Sequence, residues 1–338
     1  MRPLNHLLRL CTGTNSKTPA PALLQHQGGA AHEGIKTVVV DEDVCSGVCI
    51  YIVTWNMNGQ ARYGDLEKLV GGKGGSREFE LVVVGLQEVP RSDVSRLLQS
   101  ALAESHMLVG EATMQSLQLY VFCSKNSDFF IKEVKVDKQS IGGCGGLLRR
   151  KKGAVAIFLN YRGIRMLFIS CHLSAHAHKV EERNWECKHI THSLFSKKWN
   201  PYALPVQVTV WLGDLNYRIE GISTHPARNL IRKNLLSLLR SRDQLMQEAE
   251  RGRIFDGYCE GTLSFKPTYK YNVGSSKYDS SYKVRVPSWT DRILFKLDEL
   301  EKISANLCSY DSMDEIYSSD HKPVKAQLCL RLTNTSLS

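Results

Sequence analysis

A chain of 338 residues in which 42% are hydrophobic and 23% are charged has the balance of a protein with a large core, which excludes a mainly disordered, collagen-like or coiled-coil molecule. Lysine and arginine number 44 against 34 for aspartate and glutamate, a net charge of +10, so the surface attracts polyanions such as nucleic acid, phosphorylated small molecules or an acidic lipid surface. No run approaches the roughly 18 consecutive apolar residues of a membrane-spanning helix, and the ten cysteines are scattered without a C-x-x-C pair, which points to neither a zinc ribbon nor a dense disulfide framework and favours a reducing, cytoplasmic compartment.

In chain order, residues 1–45 read as a flexible leader. Arg2, Arg9 and Lys17 occur there with no acidic residue before position 33, and a Pro/Ala/Gly/Gln-rich stretch follows that has no period able to form a core. An organelle transit peptide is the minor alternative for its first ten residues. From residue 48 the texture changes to near-continuous apolar runs at 48–54, 81–86, 117–123, 154–161, 165–171 and 206–212, which predict strands covered on both faces. Helical spacing is expected at 93–104, 179–196 and 233–250, the last stopped by Gly252, and turns at 71–75 and 142–153. Interleaved strands and helices mean an α/β protein, with one domain over 46–332 and a short tail at 333–338.

Polar residues able to do chemistry recur directly after the apolar runs: Asn56, Glu88, His172, and Asp214 with Asn216. A strand end fixes a side chain yet leaves it open to solvent, which is where α/β folds place ligand sites. Each residue alone is equally a turn former, and it is the repetition that points to a site. Late in the chain stand Asp291 and His321. A histidine needs a carboxylate on one ring nitrogen to fix its tautomer before the other nitrogen can exchange a proton or contact a phosphoryl group, and these two residues suit that pairing.

Six segments in order resemble one family: Thr54-Trp-Asn-Met-Asn-Gly59, Gly85-Leu-Gln-Glu-Val89, Cys171-His-Leu-Ser-Ala-His176, Trp211-Leu-Gly-Asp-Leu-Asn-Tyr-Arg218, Pro287-Ser-Trp-Thr-Asp-Arg-Ile-Leu294 and Ser319-Asp-His-Lys-Pro-Val324. They are similar to the inositol polyphosphate 5-phosphatase domain of the endonuclease/exonuclease/phosphatase superfamily, over about residues 48–332. The resemblance implies a four-layer sandwich, two mixed β-sheets face to face with helices outside. It implies that Glu88, with Asn56, holds Mg2+, with Asp320 close to the metal. Asp214 and Asn216 would position the attacking water and the scissile phosphate, His172 would help bind phosphoryl oxygens, and His321 oriented by Asp291 would face the reacting group. Whether Asp214 or His321 takes the water's proton is open at this point. The reaction implied is in-line displacement by water, with no phosphoenzyme expected.

For the substrate, the resemblance implies that Tyr269, Lys270, Lys283 and Arg285 grip the inositol 4-phosphate, with Arg218 in phosphate contact or loop packing. On an extended strand, Lys283 and Arg285 would point to one face, with Tyr269 and Lys270 as the opposite wall. The partners expected are inositol phosphates or phosphoinositides, met by a monomer without nucleic acid. The run Leu147-Leu-Arg-Arg-Lys-Lys152 reads either as peripheral contact with an acidic membrane or as a soluble hairpin tip. Three alternatives compete with this function. A nuclease shares the metal core but not the 4-phosphate residues. An inactive binding module conflicts with intact Glu88, Asp214, Asp291 and His321. A cysteine phosphatase would use Cys144 and Arg150, but these run into a strand and not the phosphate-cradling helix such a loop needs.

Overall fold

Val48–Asn56 and Leu81–Gln87 are buried at every residue, so neither has a face that meets water, and both become strands covered on two sides. The computed structural model describes residues 34–41, 47–71, 79–141, 152–196, 205–298 and 303–332. Its strands are β1 (Lys36–Val38), β2 (Val48–Asn56), β3 (Leu81–Gln87), β4 (His106–Met114), β5 (Leu117–Ser124), β6 (Ile131–Ile141), β7 (Lys152–Tyr161), β8 (Ile164–His172), β9 (Val208–Asp214), β10 (Cys259–Gly261), β11 (Asp291–Leu297), β12 (Ile303–Ser312) and β13 (Val324–Leu332). The helices are α1 (Tyr63–Leu69), α2 (Val94–Leu102), α3 (Val180–Ser193), α4 (Thr224–Arg232), α5 (Ser237–Arg240) and α6 (Gln244–Glu250).

The strands form two mixed sheets, one ordered β1-β10-β11-β9-β8-β7-β6 and the other β12-β13-β2-β3-β5-β4. The alternation of strand side chains builds the layers. Ile50 and Ile52 of β2 join Val210 and Leu212 of β9 in the core between the sheets. Tyr51, Val53 and Trp55 point the other way, into a cluster with Leu66 and Leu69 of α1 and Leu98 of α2. On the outer face of the first sheet, Trp211 packs in a cluster with Ile190 of α3 and Leu245 of α6. The expected four-layer sandwich is the architecture found.

Gly85 sets how closely the sheets approach. A Cβ there would lie 2.8 Å from Leu212 Cδ1 and 2.8 Å from Ser170 Oγ, both on the facing sheet. Beside it, the buried Gln87 amide donates to Thr54 Oγ1 at 3.1 Å and across the gap to Ser170 Oγ at 3.4 Å. A second polar tie joins the first sheet to α6 on its outer side and to β12 of the facing sheet. The wholly buried Arg292 guanidinium spans Glu260 (Nε–Oε1 2.7 Å, Nη2–Oε2 2.5 Å) and Asp243 (2.9 Å), and Tyr310 donates to Glu260 at 2.8 Å.

Several expectations are corrected. The helix expected over 233–250 is two, α5 and α6, because Asp243 leaves the helical conformation to cap α6 through Met246 N–H at 3.1 Å while binding Arg292. Strands β4, β6 and β12 went unforeseen because each has partly exposed positions and therefore no continuous apolar run. Lys36–Val38, inside the stretch read as leader, pairs in parallel with β10, while residues 1–33 and 42–46 lie outside the described residues. Gly153, expected in a turn, sits inside β7, and 142–151, including Cys144 and most of the basic run, lie outside the described residues. Cys49 and Cys329, directly opposed in the β2–β13 register, are disulfide-bonded, a pairing that their sequence spacing did not suggest.

Candidate active site

The topology brings the strand ends together. β2 and β3 run parallel in one sheet and β8 and β9 parallel in the other, so each pair ends side by side, Asn56 beside Gln87 and His172 beside Asp214. β11 runs antiparallel to β9 and begins with Asp291 opposite Asp214. Residues 318–321 precede β13, whose Val324 pairs with Thr54 of β2, so Asp320 and His321 arrive at the same edge. Glu88 turns out of β3 with φ of +52°, and Asn216 follows β9 with φ of +57°.

Asp214 is at the centre. Its Oδ2 accepts from Asn56 Nδ2 at 3.0 Å and lies 3.4 Å from His172 Nε2, and its Oδ1 accepts from Asn216 N–H at 3.1 Å. Burial resists its charge, but hydrogen bonding to His172 and the positive charge of His321 and Lys152 hold the carboxyl well below the usual carboxylate range. Asn216 is pinned in turn, donating to Leu173 O at 3.1 Å and accepting from Arg218.

His321 and Asp291 form the expected pair. His321 Nδ1 donates to Asp291 Oδ2 at 2.9 Å, and Thr268 and Thr290 hydroxyls donate to the same oxygen at 2.7 and 2.8 Å. Burial opposes the imidazolium, yet Asp291, with Asp214 and Asp320 behind it, raises the His321 pKa to about 10. The ring is therefore a cation at neutral pH. His172 behaves oppositely, since burial and then the Lys152 charge lower its pKa and leave it neutral.

Lys152 was not foreseen as a site residue. Its Nζ lies against His172 Nε2, and burial lowers its pKa to about 8 despite the pull of Asp214 and Glu88. In the sequence it is the last of four consecutive cations and reads as surface, but as the first residue of β7 it is carried into the site. Thr268 and Thr290 were also missed as anchors of Asp291, although Thr290 stands inside a quoted segment and Thr268 directly precedes Tyr269.

A cavity of about 120 Å³ brings together Asn56, Glu88, His172, Asp214, Asp320 and His321, with Asn216, Arg218, Tyr269 and Lys152 also in its wall. An adjoining cavity of about 260 Å³ shares Arg218 and Tyr269 and adds Lys283, Arg285 and His176. A turn at 281–284, closed by Val284 N–H to Ser281 O at 3.0 Å, replaces the expected extended strand, with Val284 at φ of +38°, yet both Lys283 and Arg285 line one cavity. Lys270 lines neither cavity and pairs with Asp320 Oδ2 at 2.8 Å. Arg218 stacks 4.2 Å over the Tyr269 ring, which itself lies 4.5 Å from the His321 ring.

Among the described residues, Asp214, Asp291 and His321 bring ligand-type atoms within 4.8 Å of one another. Asp291 is already engaged by the histidine and two threonines, so this group reads as a proton-bearing dyad facing Asp214. The residues suited to a hard cation are Glu88, whose side chain is 26% exposed, with the Asn56 and Asp320 oxygens in the same wall.

Residues 53–327 match the family model described as Endonuclease/Exonuclease/phosphatase family 2. The chain is similar to the type IV inositol polyphosphate 5-phosphatase 11 of Arabidopsis thaliana, 57% identical over 91% of this chain and 92% of that protein. It is 33% identical to the phosphatidylinositol 4,5-bisphosphate 5-phosphatase A of Rattus norvegicus over 84% of this chain, but spans only 31% of that protein. Among solved structures it resembles the inositol polyphosphate 5-phosphatase domain of SPsynaptojanin, crystallised with inositol (1,4)-bisphosphate and a calcium ion, with a TM-score of 0.72, 28% identity, and coverage of 84% of this chain and 85% of that one.

Proposed function

The chain belongs to the inositol polyphosphate 5-phosphatases of the endonuclease/exonuclease/phosphatase family, enzymes that hydrolyse phosphoric monoesters, and from that premise we propose that it removes the 5-phosphate of inositol polyphosphates or phosphoinositides that carry a 4-phosphate, using Mg2+. The observation that carries this reading is the basic cavity of Arg218, Lys283 and Arg285 joined to the one that holds Asp214 and His321. Two neighbouring phosphates on one ring need two adjoining anion sites, and a nuclease of the same fold has no need of the second.

Glu88 and Asn56, with Asp320 beside them, would hold Mg2+, which neutralises charge on the phosphoryl oxygens. Asp214, kept anionic, accepts a hydrogen bond from the attacking water and aligns it, while Asn56 and Asn216 hold the carboxylate in place. Its low proton affinity makes it a poor final base. A loose phosphoryl-transfer transition state asks mainly for such alignment and little proton removal. His321, protonated through Asp291, presents a charged Nε2–H to the phosphoryl group, a donor whose bond strengthens as negative charge develops. Lys152 and Arg218 add positive charge around the same oxygens. Water attacks phosphorus as the bond to the 5-oxygen of the ring breaks, the proton lost by the water ending on the released hydroxyl, so no covalent enzyme intermediate forms.

The test is phosphate release with and without Mg2+ over a panel of soluble inositol phosphates and vesicle-borne phosphoinositides. The Lys283→Ala/Arg285→Ala variant should lose turnover of a 4,5-bisphosphate far more than of a substrate bearing only the 5-phosphate. Equal losses on both, or faster cleavage of abasic DNA by the unaltered chain, would refute the reading.

A further inference from the structure

A larger cavity, of about 920 Å³, lies outside the catalytic centre and is used by nothing in the reaction above. It opens between α4 and the segments around Tyr271 and Lys322, within the size range of small-molecule sites. Arg228, Arg232, Lys266, Lys277 and Lys322 line it, against a single carboxylate, Asp314, a balance of five minus one, or +4. A concave wall of one sign concentrates its field on an incoming anion, which a convex basic surface does not do.

The lining cations divide into two kinds. Lys322 is a fixed source of field. Its buried Nζ donates to the Asp314 carbonyl at 2.9 Å and the Ile316 carbonyl at 2.6 Å, between the Tyr271 and Tyr317 rings at 5.1 and 3.9 Å. Arg232, Lys266 and Lys277 are exposed and, among the described residues, make no ion pair with a carboxylate, Arg232 giving only one end of its fork to Asn229 Oδ1. Arg228 donates from one end of its fork to the Asp279 carbonyl, and its buried Nε has no hydrogen-bond partner. The floor is rigid, because Tyr271 and Tyr278 stack at 4.4 Å with their hydroxyls 3.1 Å apart and Tyr278 bonds the Pro267 carbonyl. Uncommitted donors over a fixed tyrosine floor are the makings of an anion site.

We propose that this cavity is a second binding site, separate from the catalytic one, for a compact, multiply phosphorylated anion. Each phosphomonoester carries a charge of about −1.5 to −2, so about two or three such groups balance a lining of +4, whereas a carboxylate or a single phosphate does not. A free inositol polyphosphate and a phosphoinositide headgroup share this chemistry. The site also shares a wall with the catalytic centre: Tyr271 N–H donates to the Asp320 carbonyl at 2.9 Å, and Lys322 is the residue after His321.

The experiment is calorimetric titration of the full chain with inositol hexakisphosphate, in EDTA to prevent turnover and at near-physiological salt. The unaltered chain should take up two equivalents. Lys283→Ala/Arg285→Ala should weaken the catalytic equivalent only. Arg232→Gln/Lys266→Gln/Lys277→Gln should weaken the other by about 100-fold or more while leaving kcat on a soluble 4,5-bisphosphate unchanged. A single equivalent in the unaltered chain, or a second one that the triple variant binds as tightly, overturns the proposal. Flotation with vesicles carrying phosphatidylinositol 4,5-bisphosphate then separates the sources. Loss of flotation in the triple variant assigns a lipid headgroup, and unchanged flotation with loss of the calorimetric equivalent assigns the soluble anion.

Discussion

Asp291→Asn would test the charge on His321 without removing a heavy atom. Asp291 Oδ2 accepts from Thr268, Thr290 and His321 Nδ1, at 2.7, 2.8 and 2.9 Å, and Oδ1 lies 3.2 Å from the same nitrogen. An asparagine that turns its carbonyl towards the two hydroxyls still accepts from Nδ1 at the Oδ2 position, but without a charge. The imidazole then keeps its proton on Nδ1, loses the one on Nε2 and is neutral. In the unaltered chain burial disfavours the charged ring, and Asp291 is the first of the carboxylates that overcome it to give a pKa of about 10. Without it burial prevails, and an Nε2 without a proton stands where a charged donor stood. Losing one charged transition-state donor costs about 2.7 to 4 kcal/mol, or about 10²- to 10³-fold in kcat. The sign follows from a raised pKa. The imidazolium and its stabilising bond are fully present below the unfolded value of 6.5 and are lost as pH rises through about 10, so the high-pH fall of kcat should move to below neutral in the variant. The assay is phosphate release from a soluble bisphosphate at saturating Mg2+ across pH, with imidazole NMR reporting the tautomer. A variant with kcat within about threefold of the parent, or with the same high-pH fall, would refute the reasoning.

Glu88→Gln should abolish turnover and calorimetric Mg2+ binding yet unfold at nearly the parental urea concentration, since the side chain is partly exposed; retained Mg2+ binding would move the metal elsewhere. Lys152→Met should lower kcat about tenfold or more and should also remove a limb from the pH profile. With its pKa lowered to about 8, Lys152 is charged below that pH and neutral above it, so the parent should lose rate through that range and the variant should not. Arg292→Met leaves Glu260 and Asp243 as buried, unpaired carboxylates and should cost about 3 to 5 kcal/mol in urea unfolding. Adding Glu260→Gln and Asp243→Asn should recover part of that loss, and failure to do so would argue against burial of charge as the cause.

What the sequence revealed and concealed has physical reasons. β2, β3, β8 and β9 are buried on both faces, and that burial writes an apolar run with a polar residue at its end, so fold class and site were legible at the same positions. β6 alternates between half-buried and exposed residues, and β1 has only three residues, too short for any period. The break between α5 and α6 depends on Arg292, forty-nine residues beyond Asp243, and no local pattern contains it. Lys152 was hidden because a buried lysine and a surface lysine are the same letter. Lys270 was expected beside a phosphate, and its ion pair with Asp320 became visible only once two distant segments met.

The approach of the sheets at Gly85 has a consequence for how the molecule tolerates heat and mutation. Asn56 and Glu88 ride on one sheet and His172, Asp214 and Asp291 on the other, so the spacing between layers is also the spacing between the two halves of the reaction centre. A volume-conserving swap among the residues between the sheets typically costs less than about 1.5 kcal/mol, which the fold absorbs. A displacement of about 1 Å between reacting groups costs about 10²-fold in rate. The interior should therefore be under tighter selection from turnover than from stability, and on warming, activity should fade while the spectroscopic signature of the folded chain is still intact.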